Sequence, residues 1–466
     1  MKVGFPLLCV AAIACGASIH AAPPSGFRYD PATQIPPQRP PATVREGFTF
    51  LAAGDLIMGQ PILDQTDGPL EKTLEIVRAA DVAMANQETP VFAQDELQLP
   101  PGPGGLLIGT PDVAKNVKAM GIDVVSVANN HAVDWGLQGL LETMRTLRGA
   151  GLAFAGGGPS RAAARAPAYI ETPKGRLGFV AAASTTNGPS LAADGVAEAP
   201  ARPGISVIRT TRIASVSPAE FDVLKGIATR YGSALSSGDQ LTLLDQTFRV
   251  SSEPGFTYVM NPIDEYEVLK AVRASKQKAD VAVFTVHAHE SLIGGDESPI
   301  PADFLPKLYH EAIDAGADIV VNHGSHALRG IELYKGKPIF YGIGTFVFQS
   351  HVPATQDWLE RFGLDPRTVT PGDMQETVFA QDPAEWHDSI IAAVEFGRQG
   401  RVREIRIYPI DLRAVPPSKL RGLPRLATRE VGERILTTMR RLSEPYGTDL
   451  RIVNGVGIIH PAAGRP

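Results

Sequence analysis

In VVSVANNHAVDWG (Val124–Gly136), four of the first five residues are apolar, and the run then stops on two asparagines and a histidine. Val124, Val125 and Val127 read as a buried strand, and asparagine suits the turn that would end it. The tip of this strand nevertheless offers amides (Asn129, Asn130), an imidazole (His131) and, three residues on, a carboxylate (Asp134). Whether this tip is only a turn or a site depends on the rest of the chain.

The same order recurs along the chain. Short apolar runs stand at Phe48–Gly54, Asp81–Ala85, Asp123–Ala128, Leu177–Ala183, Asp280–Val286, Asp318–Asn322 and Pro338–Phe348. Between them Leu70–Arg78, Ala114–Met120, Leu137–Leu147, Glu265–Lys276 and Phe304–Ala315 space their apolar residues at three and four, the signature of amphipathic helices. Such alternation predicts an α/β fold, its sheet buried between helical layers. Residues 184–262 break the rhythm with polar, Gly- and Ser-containing sequence and one helix, Pro218–Tyr231, and read as an insertion or lid. Near the end a β-hairpin turning at Arg398–Arg401 precedes a helix, Arg429–Leu442.

Composition sets outer limits. The chain has 466 residues, 44% hydrophobic and 20% charged, ordinary values for a globular protein. Its formal net charge of −6 leaves no basic surplus for phosphate neutralisation, so nucleic acid is not expected as a partner. Residues 1–22 read as a signal peptide, with Lys2 before an apolar core and Ile19-His20-Ala21 as the cleavage site; export to the periplasm or cell surface is expected. Ala14-Cys15-Gly16 is the weaker, lipoprotein-type alternative. Residues 23–47 are Pro-rich and read as a tether, 48–350 as the core, and 351–466 as an extension packed on it. Both cysteines, Cys9 and Cys15, fall in the signal, so any metal must be held by His, Asp, Glu or Asn. The Gly-rich stretches Pro100–Pro111 and Phe154–Ser160 lack the lysine of a phosphate loop and read as turns.

Five strands finish on candidate metal ligands. Asp55 follows the first, Asn86 and Glu88 the second, and Asn129, Asn130 and His131 the third. His287, His289 and Glu290 close a later one, His323 and His326 the next. The C-terminal edge of an open α/β sheet is where ligands bind. Each group alone is weak, but together they point to a divalent-metal site for Mn, Fe or Zn, with residues enough for two ions. Glu88 is the natural bridge and Asn130 can lend its carbonyl. His131 is left as general acid or substrate clamp, with Asp134 to orient it. Arg329 could meet an anionic substrate, or form a surface salt bridge, and Glu290 can face the site.

Taken in order, GDLIMG, NQETP, ANNHAVDWG, HAHE and NHGSHALRGIELYKGKPIFYGIGTFVF resemble the CapA family, the poly-γ-glutamate capsule biosynthesis proteins, whose members look like calcineurin-type metallophosphoesterases. The resemblance runs from about Phe48 to about Ile459. It implies a four-layered α/β/β/α sandwich. It also implies Asp55 and His326 on one metal, Glu88 bridging, Asn130, His287 and His323 on the second, and His131 as the acid. Implied partners are an anionic polymer or small phosphoester substrate and capsule-synthesis membrane proteins. The chain departs from the expected motifs in four places. Asp55-Leu56-Ile57 stands where metallophosphoesterases usually have Asp-x-His, a lack that CapA-like proteins share. Thr345 stands in a Gly-Asn-Phe turn, where it keeps a hydroxyl but loses the amide and the contact an amide would make. His287-Ala288-His289 replaces His-Trp-Gly, and Ser325 replaces a proline. If the strand continues past His287, His289 points the opposite way and is structural.

Three functional readings follow: an exported metal-dependent hydrolase of a phosphoester or γ-glutamyl amide, a non-catalytic envelope protein binding or exporting an anionic polymer, and an amidohydrolase barrel suggested by His287-x-His289. The last requires that motif on the first barrel strand, yet at least four strands precede it.

Overall fold

The computed structural model describes residues 44–461 except 66, 94–106, 232–234, 254, 294–297, 350–358, 361, 382–383 and 414–421. The signal segment, most of the Pro-rich tether and most of Pro100–Pro111 lie outside the described residues.

The first half of the chain alternates strand and helix as its apolar pattern dictates. β1 (Phe48–Ile57) is followed by α1 (Gly68–Arg78), β2 (Val82–Asn86), α2 (Pro111–Ala119), β3 (Val124–Ser126), α3 (Gly136–Gly149) and β4 (Ala153–Ala155). A hairpin of β5 (Ala168–Thr172) and β6 (Gly175–Ala183) leads into the insertion. There β7 (Thr210–Val216), α4 (Pro218–Tyr231), β8 (Leu235–Ser237), β9 (Gln240–Leu243), β10 (Gln246–Val250) and β11 (Gly255–Met260) form a separate five-stranded sheet. Alternation then resumes with α5 (Pro262–Lys276), β12 (Val281–His287), α6 (Phe304–Ala315) and β13 (Ile319–His323). The remainder supplies β14 (Ile331–Tyr334), β15 (Lys337–Phe340), β16 (Thr345–Phe348), β17 (Asp388–Phe396), β18 (Val402–Asp411), α7 (Arg429–Ser443), β19 (Leu450–Val453) and β20 (Val456–Ile459).

Two sheets stack face to face. The larger is ordered β19-β20-β18-β17-β1-β2-β3-β4, with β16 beside the end of β1. The second is ordered β14-β15-β13-β12-β6-β5. Side chains alternate across β1. Phe48, Phe50 and Ala52 pack inward with Phe179, Val283 and Val321 of the second sheet, whereas Leu51 and Ala53 pack outward with Leu70 and Leu74 of α1 and Val113 and Val117 of α2. α5 and α6 cover the far face of the second sheet. The protein is thus a four-layered α/β/β/α sandwich built from open sheets, which removes the barrel reading.

Three features were not anticipated. The run Pro338–Phe348 is two strands, not one: β15 pairs with β13 in the second sheet and β16 with β1 in the first. Its Gly344, at φ 78°, turns the chain between sheets. The C-terminal segment does more than pack on the core, since β17 pairs antiparallel with β1 along Phe48–Ala52. Third, the insertion has a small core of its own around Phe221, Ala228, Leu241 and Leu243. Fully buried Asp264 of α5 clasps its root, taking Arg161, Arg165 and Arg209 at 2.6–2.8 Å.

A second carboxylate group carries a pH signature. Burial, with Glu265 hydrogen-bonded beside it, raises Glu311 from 4.5 to about 7 despite Lys307 at 3.0 Å. The folded chain therefore holds a proton that the unfolded chain releases. This contribution to stability is complete below the unfolded value and is lost as pH rises through about 7. For a half-buried group in contact with solvent, the loss is expected to be on the order of 1 kcal/mol. Urea midpoints measured from pH 4 to 8 should fall less steeply for Glu311→Gln than for the unaltered protein.

Candidate metal centre

The donors converge because both sheets bring the C-terminal ends of parallel strands to one seam. In the first sheet Asp55 stands in register with Asn86 of β2 on one side and Thr345 of β16 on the other. In the second, His287 and His323 are register partners on β12 and β13. Two close backbone approaches make this possible. At Gly54 a Cβ would lie 1.9 Å from the Gly344 carbonyl oxygen, so only glycine lets β1 and β16 meet. At Gly324, with φ 97°, a Cβ would lie 2.8 Å from the His287 ring, and the Gly324 N–H is free to donate to Asp55 Oδ2 at 3.1 Å.

Asp55, Glu88 and His287 are fully buried and His323 is 1% exposed. Asp55 Oδ1 accepts from Asn86 Nδ2 at 2.8 Å and lies 3.5 Å from His323 Nδ1 and 4.0 Å from His287 Nδ1, while Oδ2 lies 3.6 Å from His326 Nδ1. His287 Nδ1 is 3.1 Å from His323 Nδ1, and His287 Nε2 is 2.9 Å from His289 Nε2. Three donor sets have ligand atoms within 4.8 Å of one another: Asp55, His287 and His323; Glu88, His287 and His289; Asp55, Glu88 and His326. Two donors each about 2.1 Å from one tetrahedral ion stand about 3.4 Å apart, the spacing these atoms approximate.

Burial raises Asp55 to about 6, opposed by the Asn86 and Gly324 hydrogen bonds and by His289. Burial, then the neighbouring imidazoles, holds His287 well below its usual range. Burial, then His289, lowers His323 to about 3. Both rings are therefore neutral near pH 7 and keep the lone pairs that a cation needs. Buried His323 Nε2 and Asn130 Oδ1 have no hydrogen-bond partner among the described residues. Orphaned donor atoms among neutral imidazoles and carboxylates fit a divalent ion.

Residues 49–350 match the family model described as "Bacterial capsule synthesis protein PGA_cap". The chain belongs to this family. It is 36% identical over 435 residues to the uncharacterized protein y4sH of Sinorhizobium fredii, covering 89% of this chain and 94% of that one. It is 26% identical over 334 residues to the PGA biosynthesis protein CapA of Bacillus subtilis, covering 69% and 70%. Among solved structures it is similar to a novel phosphatase from Mycoplasma pneumoniae, with a TM-score of 0.36, 10% identity, and 79% of this chain and 94% of that one covered.

Within this PGA_cap fold, Asp55, Glu88, His287, His323 and His326 lie in one cluster. His131 stands at its rim, its Nε2 3.9 Å from Glu88 Oε1 and its Nδ1 2.8 Å from Asp134 Oδ2. Asp134 also accepts the Leu107 N–H at 3.0 Å. Asn129 ties the β2 and β3 loops together, donating to Asn86 Oδ1 and to the Gln87 carbonyl. His326 has φ 53°, a backbone region that side-chain-bearing residues seldom occupy, and its ring lies against Trp386.

Two expectations, for Arg329 and His289, need correction. Arg329 cannot meet a substrate at the surface or form a salt bridge there. It is fully buried, and donates from Nε to the Ser298 carbonyl and from Nη2 to the His289 carbonyl. Glu290 accepts from Ser184 Oγ and Thr185 Oγ1, at 2.8 and 2.9 Å. His289 does not point away, because β12 ends at His287 and strand alternation ends with it. Thr345 uses its hydroxyl here, its Oγ1 lying 3.1 Å from His326 Nδ1.

Proposed function

We propose that this PGA_cap protein is an exported, divalent-metal-dependent hydrolase of capsule-polymer synthesis, cleaving a phosphoester or a γ-glutamyl amide. The observation that carries the reading is the meeting of two buried carboxylates, Asp55 and Glu88, with the imidazoles of His287, His323 and His326 at the seam of two sheets. Those five residues and Asn130 would hold one or two ions of Mn, Fe or Zn type. A bound divalent ion supplies Lewis acidity toward a phosphoryl or amide oxygen. The rest falls to the chain. Asp134 fixes the His131 ring with Nε2 toward the cluster, where it can hand a proton to the leaving group. Asn129 locks the loop that carries both, accepting the His131 N–H on Oδ1 at 3.1 Å. The anionic polymer of the family's pathway is the macromolecular substrate or product that this chemistry suits, and capsule-synthesis membrane proteins are the fitting partners.

The test is metal content. The 23–466 chain, purified without chelator or affinity nickel, should carry one to two equivalents by mass spectrometry, and phosphoesters and γ-glutamyl amides should then be screened for hydrolysis. No bound metal, even after addition of Mn²⁺ or Zn²⁺ and dialysis, would overturn the hydrolase and leave the polymer-binding reading.

A further inference from the structure

We infer that His289 is a metal donor of this centre in its own right, and that Arg329 and Thr185 are the positioning residues that aim it. This rests on the metal-centre reading above and adds to it a residue with no place in that ligand set.

Ring geometry places His289 between the two halves of the cluster. Its centroid is 4.8 Å from that of His287 and 5.3 Å from that of His326, which it meets edge-on. Its Nε2 is 2.9 Å from His287 Nε2, and with Glu88 these two rings form one of the three compact donor sets. A ring filling space could present a carbon edge here, but His289 presents a nitrogen to a nitrogen. It is only 9% exposed, so water does not compete freely for that atom.

The backbone explains why the ring turns this way. The His289 N–H donates to Thr185 Oγ1 at 2.9 Å, and its carbonyl accepts from Arg329 Nη2 at 3.2 Å. Thr185 belongs to the loop after β6, and Arg329 lies three residues beyond His326. His289, two residues past the end of β12, is thus held from both sides by the loops that follow the neighbouring strands. An arginine buried completely is costly unless its donors are used, and Arg329 spends two of them on the carbonyls of His289 and Ser298. Its position suits a strap that sets the angle of His289.

The experiment compares the unaltered protein with His289→Ala, His289→Asn and Arg329→Lys. Each is titrated with Zn²⁺ against a chromophoric chelator, and the Co²⁺-substituted forms are examined by visible absorption. Loss of His289 is expected to weaken metal binding by at least about tenfold and to alter the Co²⁺ spectrum. Arg329→Lys should shift that spectrum while retaining the metal, a response that a packing role alone would not produce. Folding is checked by circular dichroism in chelator; should His289→Ala fail to fold, His289→Asn carries the comparison. Equal affinities and identical Co²⁺ spectra in the unaltered protein and the His289 variants would overturn the inference while leaving the metal centre intact. Absence of metal binding in the unaltered protein would overturn the metal centre itself, and the assignment of His289 with it.

Discussion

Gly54→Ala is expected to prevent the native fold from forming stably. The added methyl would lie 1.9 Å from the Gly344 oxygen and 2.9 Å from its carbonyl carbon, and both are backbone atoms that no rotamer change can move. Relief requires β16 to part from β1, which breaks the register that sets Asp55 beside Thr345. A loss of more than about 4 kcal/mol follows, in the range reserved for severe core errors. Urea denaturation followed by tryptophan fluorescence checks it. A midpoint within experimental error of the unaltered protein would show that the two strands can separate without cost.

His131→Gln is expected to act on turnover and spare the metal. His131 stands at the rim, and no ligand atom of it enters the compact donor sets. Its Nε2 nevertheless faces Glu88 while Asp134 holds Nδ1. Removing a placed general acid costs about 10²–10⁴ in kcat. The measurement is kcat on whichever phosphoester or γ-glutamyl amide the unaltered protein turns over, with metal content determined on the same samples. An unchanged kcat would remove His131 from the chemistry, and a joint loss of metal and activity would make it a ligand instead.

Much of the centre was legible because strand-final polar residues are anomalous in apolar runs. Asp55, Glu88, His287 and His323 each interrupt such a run, and all four are buried at its end. His289 was misread because parity along a strand has no force once the strand stops, and β12 stops at His287. Arg329 was misread because charge suggests exposure, whereas the residue is fully buried and its Nε and Nη2 donate to backbone carbonyls. The division of Pro338–Phe348 between two sheets was hidden for another reason. Apolar periodicity reports burial, and both halves are buried; which sheet they join depends on the turn at Gly344. The insertion's strands, such as Gln246–Val250, are half-buried throughout and carry no clean alternation to read.

The pairing of β1 with β17 has a consequence in time. Phe48 meets Phe396, a partner 348 residues later (396 − 48), and one long edge of β1 stays open until that residue has been made. At about 5–20 residues per second, synthesis leaves this edge unpaired for on the order of 20–70 seconds. The carboxylates of Asp55 and Glu88 wait through part of that interval for His287, His323 and His326. A chain released early, before Phe396, would carry Phe48–Ala52 of β1 without its full antiparallel neighbour, the form of edge on which polypeptides aggregate.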